Sequence, residues 1–387
     1  MYQIYADDTL IYDSKFEDYR IAKGVITLEK NKSGSFVFSL YPDHFYYEQF
    51  ARLKTVITVY KSNKIIFRGR ILNETIDFQN NKVLTCEGEL GFLQDSIIRP
   101  FNFSGTPRDL FIKLIEDHNA QVENFKQFGV GEVTVIADAV DNQIIRENLE
   151  YESTYDNLIN QLSNILGGYI YITREGNDTR PILNYVKDVD KVSSQMIEFG
   201  SNLKDYTKTI KADSVATVII PLGAQIDDGD SNTEDPRLTI ESINDGVDYV
   251  YSSTGVAMYG RVCKVVEFDD VTDVWELKRK GEEYLESVVN HTITVELNAI
   301  DLHLLDKSIE SFNLYDYIQV ISDPHNFRAL LQCNKQSIDL LKPENDMIVL
   351  GHTYTTLTDI NRSTAKAVSR INNVSNSVAK VATSLKD

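Results

Sequence analysis

From residue 1 to 98 the chain alternates apolar and polar positions. The runs GVITLEK, GSFVFSLYP, LKTVITVYK, IIFRGRILNETIDFQ and KVLTCEGELGFL set β-branched and aromatic residues at near-alternate places, broken by the turns NKSG, KSNK and QNNK. Short strands at this spacing predict a small antiparallel barrel or sandwich. The period changes after Pro100. In SGTPRDLFIKLIEDHN, Thr106 is placed to cap a helix, Pro107 takes its first position, and Leu110, Phe111, Leu114 and Ile115 form one apolar stripe. A second helix is predicted in STYDNLINQLSNILGG, with Tyr155, Leu158, Ile159, Leu162, Ile165 and Leu166 as its stripe and Gly167-Gly168 as its stop. The hairpin YIYITREGNDTRPILNYV follows.

Strand character returns in DSVATVIIPLGA, gives way to the acidic loop QIDDGDSNTEDPR, and resumes over 238–268. A helix is expected from Asp273, with Glu276 in capping-box position and Val274, Leu277, Gly281, Tyr284, Leu285 and Val288 buried. The pattern predicts a mainly β, α+β chain. Residues 1–98 form a first barrel-like domain, 99–200 an α/β insertion, 201–225 with 292–352 a second barrel-like domain, 226–291 an inserted strand-helix domain, and 353–387 a coiled-coil stalk.

The two strand blocks resemble each other. LKTVITVYKSNKIIFRG from Leu53 aligns with LYDYIQVISDPHNFRAL from Leu314, matching Ile57 to Ile318, Val59 to Val320 and Phe67-Arg68 to Phe327-Arg328. Further on, Ile76-Asp77-Phe78 answers Ile338-Asp339-Leu340, with two residues of slippage. Any two amphipathic meanders share period-2 patterning, so this likeness by itself leaves open whether the chain holds two copies of one unit.

Beyond residue 356 the spacing changes again. Leu357, Ile360, Thr364, Ala367, Ile371, Val374, Val378, Val381 and Leu385 recur at alternating steps of 3 and 4, a heptad seam. Small and β-branched residues at both core positions favour trimers or higher states. The register runs to Leu385-Lys386-Asp387 without a cap, as expected of a stalk that leads on to something else. Two meanders per chain and three chains give a homotrimer with six similar units about its axis, able to mate with a six-fold ring.

The net charge is −19, and residues 1–356 alone carry −22 because the tail has five basic and two acidic residues. Phosphate-gripping nucleic-acid readout needs a basic footprint, so this balance runs against it, as it does against anchoring to an anionic membrane. No run approaches the roughly 18 apolar residues of a membrane span, and MYQIYADDTLIYDSK lacks the regions of a signal peptide. Cys86, Cys263 and Cys333 are odd in number, far apart and set in strand-like runs, so they read as buried reduced thiols of a protein made in a reducing cytoplasm.

CEGELGFLQDSIIRPFNFSGTPRDLFIKLIEDHN resembles the stretch of siphophage tail-tip proteins where a barrel strand passes into the first helical insertion. LGGYIYI, VIIPLGAQ, ESINDGVDYVYS and VVEFDDVT resemble the same family in the same order, up to about residue 356. These are the central tail-tip, or tail-associated, proteins of phages and prophages of Gram-positive bacteria, the prophage endopeptidase tail proteins. The resemblance implies a fold shared with baseplate hub proteins of contractile phages and type VI secretion spike proteins. It implies a trimer in the virion tail tip, assembled in the host cytoplasm, that caps a hexameric distal tail ring and opens for DNA. The implied partners are that ring, the tape-measure and tail-tube proteins, receptor-binding or baseplate proteins, and viral DNA in transit without specific binding. Lytic or fibre modules are expected downstream.

The family's name implies a catalytic site, yet the motifs that would carry one are missing. HExxH and GxSxG are absent, and none of His44, His118, His291, His303, His325 and His352 has zinc-protease spacing. His118 falls at the end of a predicted helix, where a cation is favourable. Asp228, Asp230 and Asn232 occupy the first ligand positions of a calcium loop, but Thr233 and Thr239 stand where Gly and Glu are needed. No catalytic, cofactor or metal residues are assigned. Two alternatives stay open: a peptidoglycan hydrolase built on carboxylates, and a wall-carbohydrate adhesin, weakened because the single Trp275 lies in a predicted helix.

Overall fold

A computed structural model describes residues 2–137, 142–174, 176, 180–225, 237–268, 271–289 and 292–353. It is mainly β, with 41% strand and 23% helix. The chain divides into two compact units. The first holds Met1–Tyr206, Leu297–Phe327 and Gln332–Val349; the second holds Thr207–Glu296, Arg328–Leu331 and Leu350–Asp387.

The first unit opens with seven strands: β1 (Tyr2–Ala6), β2 (Thr9–Asp13), β3 (Lys23–Glu29), β4 (Ser35–Leu40), β5 (Val56–Lys61), β6 (Lys64–Ile76) and β7 (Lys82–Gly88). The alternation read from the sequence becomes two faces. Tyr2, Ile4 and Ala6 on β1, and Phe36 and Phe38 on β4, point into one core with Ile26, Ile57, Ile71 and Leu84. The Phe36 and Phe38 rings stack at 5.0 Å. Ser62 and Asn63, both at positive φ, turn β5 into β6, the geometry that matches the twist of a hairpin.

The α/β insertion adds β8 (Ile97–Ile98), β9 (Phe101–Gly105), α1 (Pro107–Asn119), β10 (Gly129–Val133), β11 (Ile144–Asn148), β12 (Glu152–Ser153), α2 (Thr154–Asn157), α3 (Asn164–Leu166), β13 (Tyr169–Thr173) and β14 (Ile182–Val186). Helix α1 starts where its sequence signals it. The Thr106 hydroxyl accepts the Asp109 N–H at 3.2 Å, and the Asp109 carboxylate accepts the Thr106 N–H at 3.1 Å. Leu110, Phe111, Leu114 and Ile115 are all fully buried. The second helix departs from expectation. A π-helical turn over Leu158–Ser163 joins α2 to α3, and the extra residue per turn rotates the end of the stripe outward, so Ile165 is 56% exposed. Gly168 then takes φ +90, and a Cβ there would meet the Val186 carbonyl at 2.8 Å.

Next come β15 (Ile197–Glu198) and β16 (Leu203–Lys211). The second unit contributes β17 (Val218–Leu222), β18 (Val250–Tyr251), α4 (Ser253–Tyr259), β19 (Cys263–Glu267) and α5 (Val274–Val288). There β17 pairs antiparallel with β18 and parallel with β19. Asp273 caps α5 by accepting the Glu276 N–H at 2.9 Å, and Leu277 and Leu285 pack on Ile219 and Val250. Trp275 points to solvent. The acidic-loop residues Asp228, Asp230, Asn232 and Thr233 lie outside the described residues.

The last strands are β20 (Thr292–Ala299), β21 (Tyr317–Ser322), β22 (Phe327–Asp339) and β23 (Met347–Thr353). Strands β21, β22 and β23 have 6, 13 and 7 residues, and β5, β6 and β7 have 6, 13 and 7. The aligned pairs Ile57 and Ile318, and Val59 and Val320, are all fully buried. Each meander is entered through a residue at positive φ, Leu53 or Tyr315, whose N–H bonds the carbonyl of Ile71 or Cys333 at 2.9 Å. Strand lengths and turn geometry are not imposed by period-2 patterning, so the likeness between the two blocks is structural. All these strands fall in one 13-stranded sheet ordered β16-β20-β23-β22-β3-β4-β7-β6-β5-β1-β2, with β21 bonded to β22 and β15.

Because the α1 cap is reciprocal, Thr106→Ala is expected to cost about 1 kcal/mol, read as a lower urea midpoint of the unit-one transition.

Candidate functional site

The residues singled out for chemistry separate on folding. The heptad seam, Leu357 through Leu385, lies outside the described residues, as do His291 and the side chain of His352. Cys86 and Cys333 are buried, and burial pushes both thiols up; Cys263 is exposed on β19, contrary to expectation, because the residues of that strand are largely exposed on both faces. Among the described residues no three His, Cys, Asp or Glu converge as a metal-binding group.

The histidines are structural bridges. His118 is fully buried, and that burial lowers its pKa, so it is a neutral structural residue at the end of α1. Its Nε2–H donates to the Lys126 carbonyl at 3.1 Å and its Nδ1 lies 2.6 Å from Ser96 Oγ, which sits 2.7 Å from Thr154 Oγ1. This is a Ser-His hydrogen bond, yet Ser96 is 1% exposed, so no substrate reaches the hydroxyl. His44 is likewise depressed by burial: Nδ1 accepts the Tyr46 N–H at 3.2 Å, and Nε2 donates to the Ile11 carbonyl at 2.9 Å.

A carboxylate cluster lies where the two meanders meet in the first unit. Lys61, at the end of β5, reaches Asp301 at 2.6 Å and Ser311 at 2.6 Å, and Gln195 donates to the other Asp301 oxygen at 2.9 Å. Burial works to raise the Asp301 pKa, but the Lys61 ammonium and the Gln195, Lys61 and Ser311 donors hold it below the usual carboxylate range. Asp346 is different. Burial, with Asp301 and Asp339 nearby, pushes it up to about 7 despite the Asp339 N–H it accepts and the pull of Lys61. A carboxyl poised at neutrality is what a general acid requires. The space beside Lys61, Asp301 and Asp346 is about 20 Å³, however, room for a single water and not for a sugar ring.

Two larger clefts of about 520 and 790 Å³ open in the same unit and share Lys64, Ile66 and Leu314 in their walls. In the larger, Arg68 and Arg174 both bind Glu89, and Lys191 binds Glu310 and Asp316. Cations neutralised by carboxylates do not make a phosphate cradle.

The best-connected polar residue went unnoticed in the sequence, where it is only a turn residue in NKSG. Asn31, at φ +57, donates its backbone N–H to Tyr315 Oη and its Nδ2 to Ser163 Oγ and the Gly168 carbonyl, each at 3.1 Å. Its Oδ1 accepts the Ile170 N–H at 2.8 Å, and its carbonyl accepts the Tyr155 hydroxyl at 2.6 Å. Tyr315 passes its own hydroxyl proton to the Ile170 carbonyl at 3.1 Å. One turn thus ties the first meander to the α/β insertion and to the entry of the second meander. The interactions that stand out chemically are interlocks, and what they fix is relative position.

Residues 191–361 match the family model of prophage endopeptidase tail proteins. Among solved structures, the chain is similar to the prophage tail protein gp18 of Listeria monocytogenes EGD-e, at 14% identity over 95% of this chain and 99% of that one, with a TM-score of 0.55. It is similar to the 43 kDa tail protein of prophage MuSo2 from Shewanella oneidensis, at 11% over 91% and 98%, TM-score 0.59. A tail protein from Neisseria meningitidis MC58 matches at 14% over 91% and 96%, TM-score 0.61. The chain has the fold of a phage tail protein. No curated protein sequence matches it. In this tail-protein fold, no described helix is long and apolar enough to cross a membrane.

Asn31→Ala removes three side-chain hydrogen bonds and leaves the Ile170 N–H unpaired, so it is expected to cost about 2–3 kcal/mol in chemical unfolding. Asp346 has a folded pKa above its unfolded value of about 3.9, so its contribution to stability is complete below that pH and is lost as pH rises through about 7. Asp346→Asn keeps the acceptor without the charge. Its melting temperature should match the parent at about pH 4 and exceed it increasingly towards about pH 8, a gain on the order of 2 kcal/mol.

Proposed function

We propose that this chain is the structural hub of a phage tail tip or baseplate. Three copies, each with two barrel-like meanders, close a ring that caps the tail tube beneath the hexameric distal tail ring. The observation that carries this reading is the doubled meander, 6, 13 and 7 residues twice over, inside a fold of prophage tail proteins. Two like units per chain let a trimer meet six-fold symmetry without six chains. The seam from Leu357 to Leu385 continues the trimer axis as a stalk that carries receptor-binding or lytic modules, and the tube and tape-measure proteins lie on the other side.

In this reading the protein is assembled in the cytoplasm of a Gram-positive host and works in the virion. The net charge of −19 gives the lumen a potential that repels phosphate, so DNA slides past without specific binding when the tip opens. No catalysis is assigned to these residues. A peptidoglycan endopeptidase is the second reading, favoured by the description of the family that residues 191–361 match.

Light scattering on a sizing column at tens of micromolar should return three times the 44.0 kDa chain mass, and that species should bind tubes that end in the hexameric ring. A single-chain mass with no ring binding would sink the hub reading. Release of soluble fragments from purified cell wall by this chain would establish the enzyme instead.

A further inference from the structure

The two meanders match strand for strand, but their ends are treated differently. On β22, Lys335–Asp339 pair antiparallel with Val25–Glu29 of β3, on the stretch beyond the reach of β21. The residue that follows, Leu340, is 4% exposed in the main core, with its N–H on the Gly24 carbonyl at 2.9 Å. On β6 the matching stretch is Asn73–Asp77. Pairing with β5 ends at Arg70, and among the described residues Asn73–Ile76 pair with β7 alone. Ile76 is 56% exposed and Phe78, which answers Leu340, is 102% exposed.

The turns that follow are alike. The Asp77 carboxylate accepts the N–H groups of Gln79 and Asn81, and the Asp339 carboxylate accepts those of Leu341 and Lys342. The same strand end is therefore built twice, once with its partner strand and core pocket filled from within the chain and once bare. The bare end is an apolar edge of the kind that soluble proteins cover or blunt.

The topology names what would cover it. The first meander continues β7-β4-β3, and the second continues β23-β20-β16. Strand β16 thus holds the place of β3, and among the described residues it stands at the end of the sheet with β20 as its one strand neighbour there. We propose that Asn73–Ile76 of β6, with Asp77 just after it, pair with β16 of a second copy of this chain, with Phe78 seated in that copy as Leu340 is seated beneath β3. Such a contact is head-to-tail: each chain gives one edge and receives another, so repetition closes a ring or runs on as a filament. The assignment rests on the ring reading above and supplies its chain-to-chain contact.

Hydrogen exchange on the full chain at tens of micromolar, with light scattering on the same sample, tests it. The expected result is an assembled species whose amides at 73–77 exchange as slowly as those at 335–339, with that protection lost in Phe78→Asp. Phe78 is bare in the single chain, so the substitution leaves the core intact, and an unchanged melting curve at dilution checks this. An assembled species whose 73–77 amides exchange as fast as open loops, and which Phe78→Asp does not alter, overturns the edge contact while leaving the ring. A single-chain mass overturns the edge contact, and with no ring binding it overturns the ring reading as well.

Discussion

A strand of 13 residues is longer than any one of its neighbours, and its backbone donors and acceptors must all be satisfied. In β22 that constraint is met by three strands, β21, β23 and β3. The third is the one that matters, because it belongs to the other meander. The register Ile338 to Ile26 fixes how one copy follows the next, and a slip of one residue would turn Ile26 and Phe36 out of the core. Once that register is set, Leu340 drops beside Gly24, where there is no Cβ to oppose it.

The buried polar groups serve the same end. Lys61 leaves the last position of β5 and finds its counter-ion on Asp301, in the segment that leads to the second meander. A buried ion pair is weak evidence for stability, yet removing one partner leaves a costly bare charge. Such a pair therefore penalises misplaced meanders more than it rewards correct ones. Asn31 acts likewise through neutral bonds. Its αL backbone, tolerable for Asn, turns its amide toward the insertion and its N–H toward Tyr315. Both devices specify position, which is what a part with exact neighbours requires.

Much of this was legible in the chain. The α1 cap, the apolar stripe of α1 and the strands of both meanders follow from local rules that tertiary contacts do not override. The alignment of Ile76-Asp77-Phe78 with Ile338-Asp339-Leu340 was legible too, but not its consequence. Burial of Leu340 and exposure of Phe78 depend on whether a distant strand is at hand, and period-2 patterning is blind to that. The π turn at Leu158–Ser163 and the exposed Cys263 escaped for a related reason: each depends on surroundings assembled from remote sequence. Asn31 gave no signal beyond a turn residue, since a five-bond hub and a solvated loop have the same local composition.

The placement of charge argues against acid catalysis at Asp346. A catalytic carboxyl with a raised pKa is useful only where substrate and water reach it. Asp346 has the pKa and lacks the access; its neighbour Asp301 is locked by four donors, the Lys61, Gln195 and Ser311 side chains and the His303 N–H. The open clefts show the reverse, with access but with Arg68, Arg174 and Lys191 held by Glu89, Glu310 and Asp316. The raised carboxyl of Asp346 and the open clefts therefore fall in different places in the first unit. Asp301 and Asp346 lie at the joint between the two meanders, where the ion pair of Asp301 with Lys61 fixes one against the other.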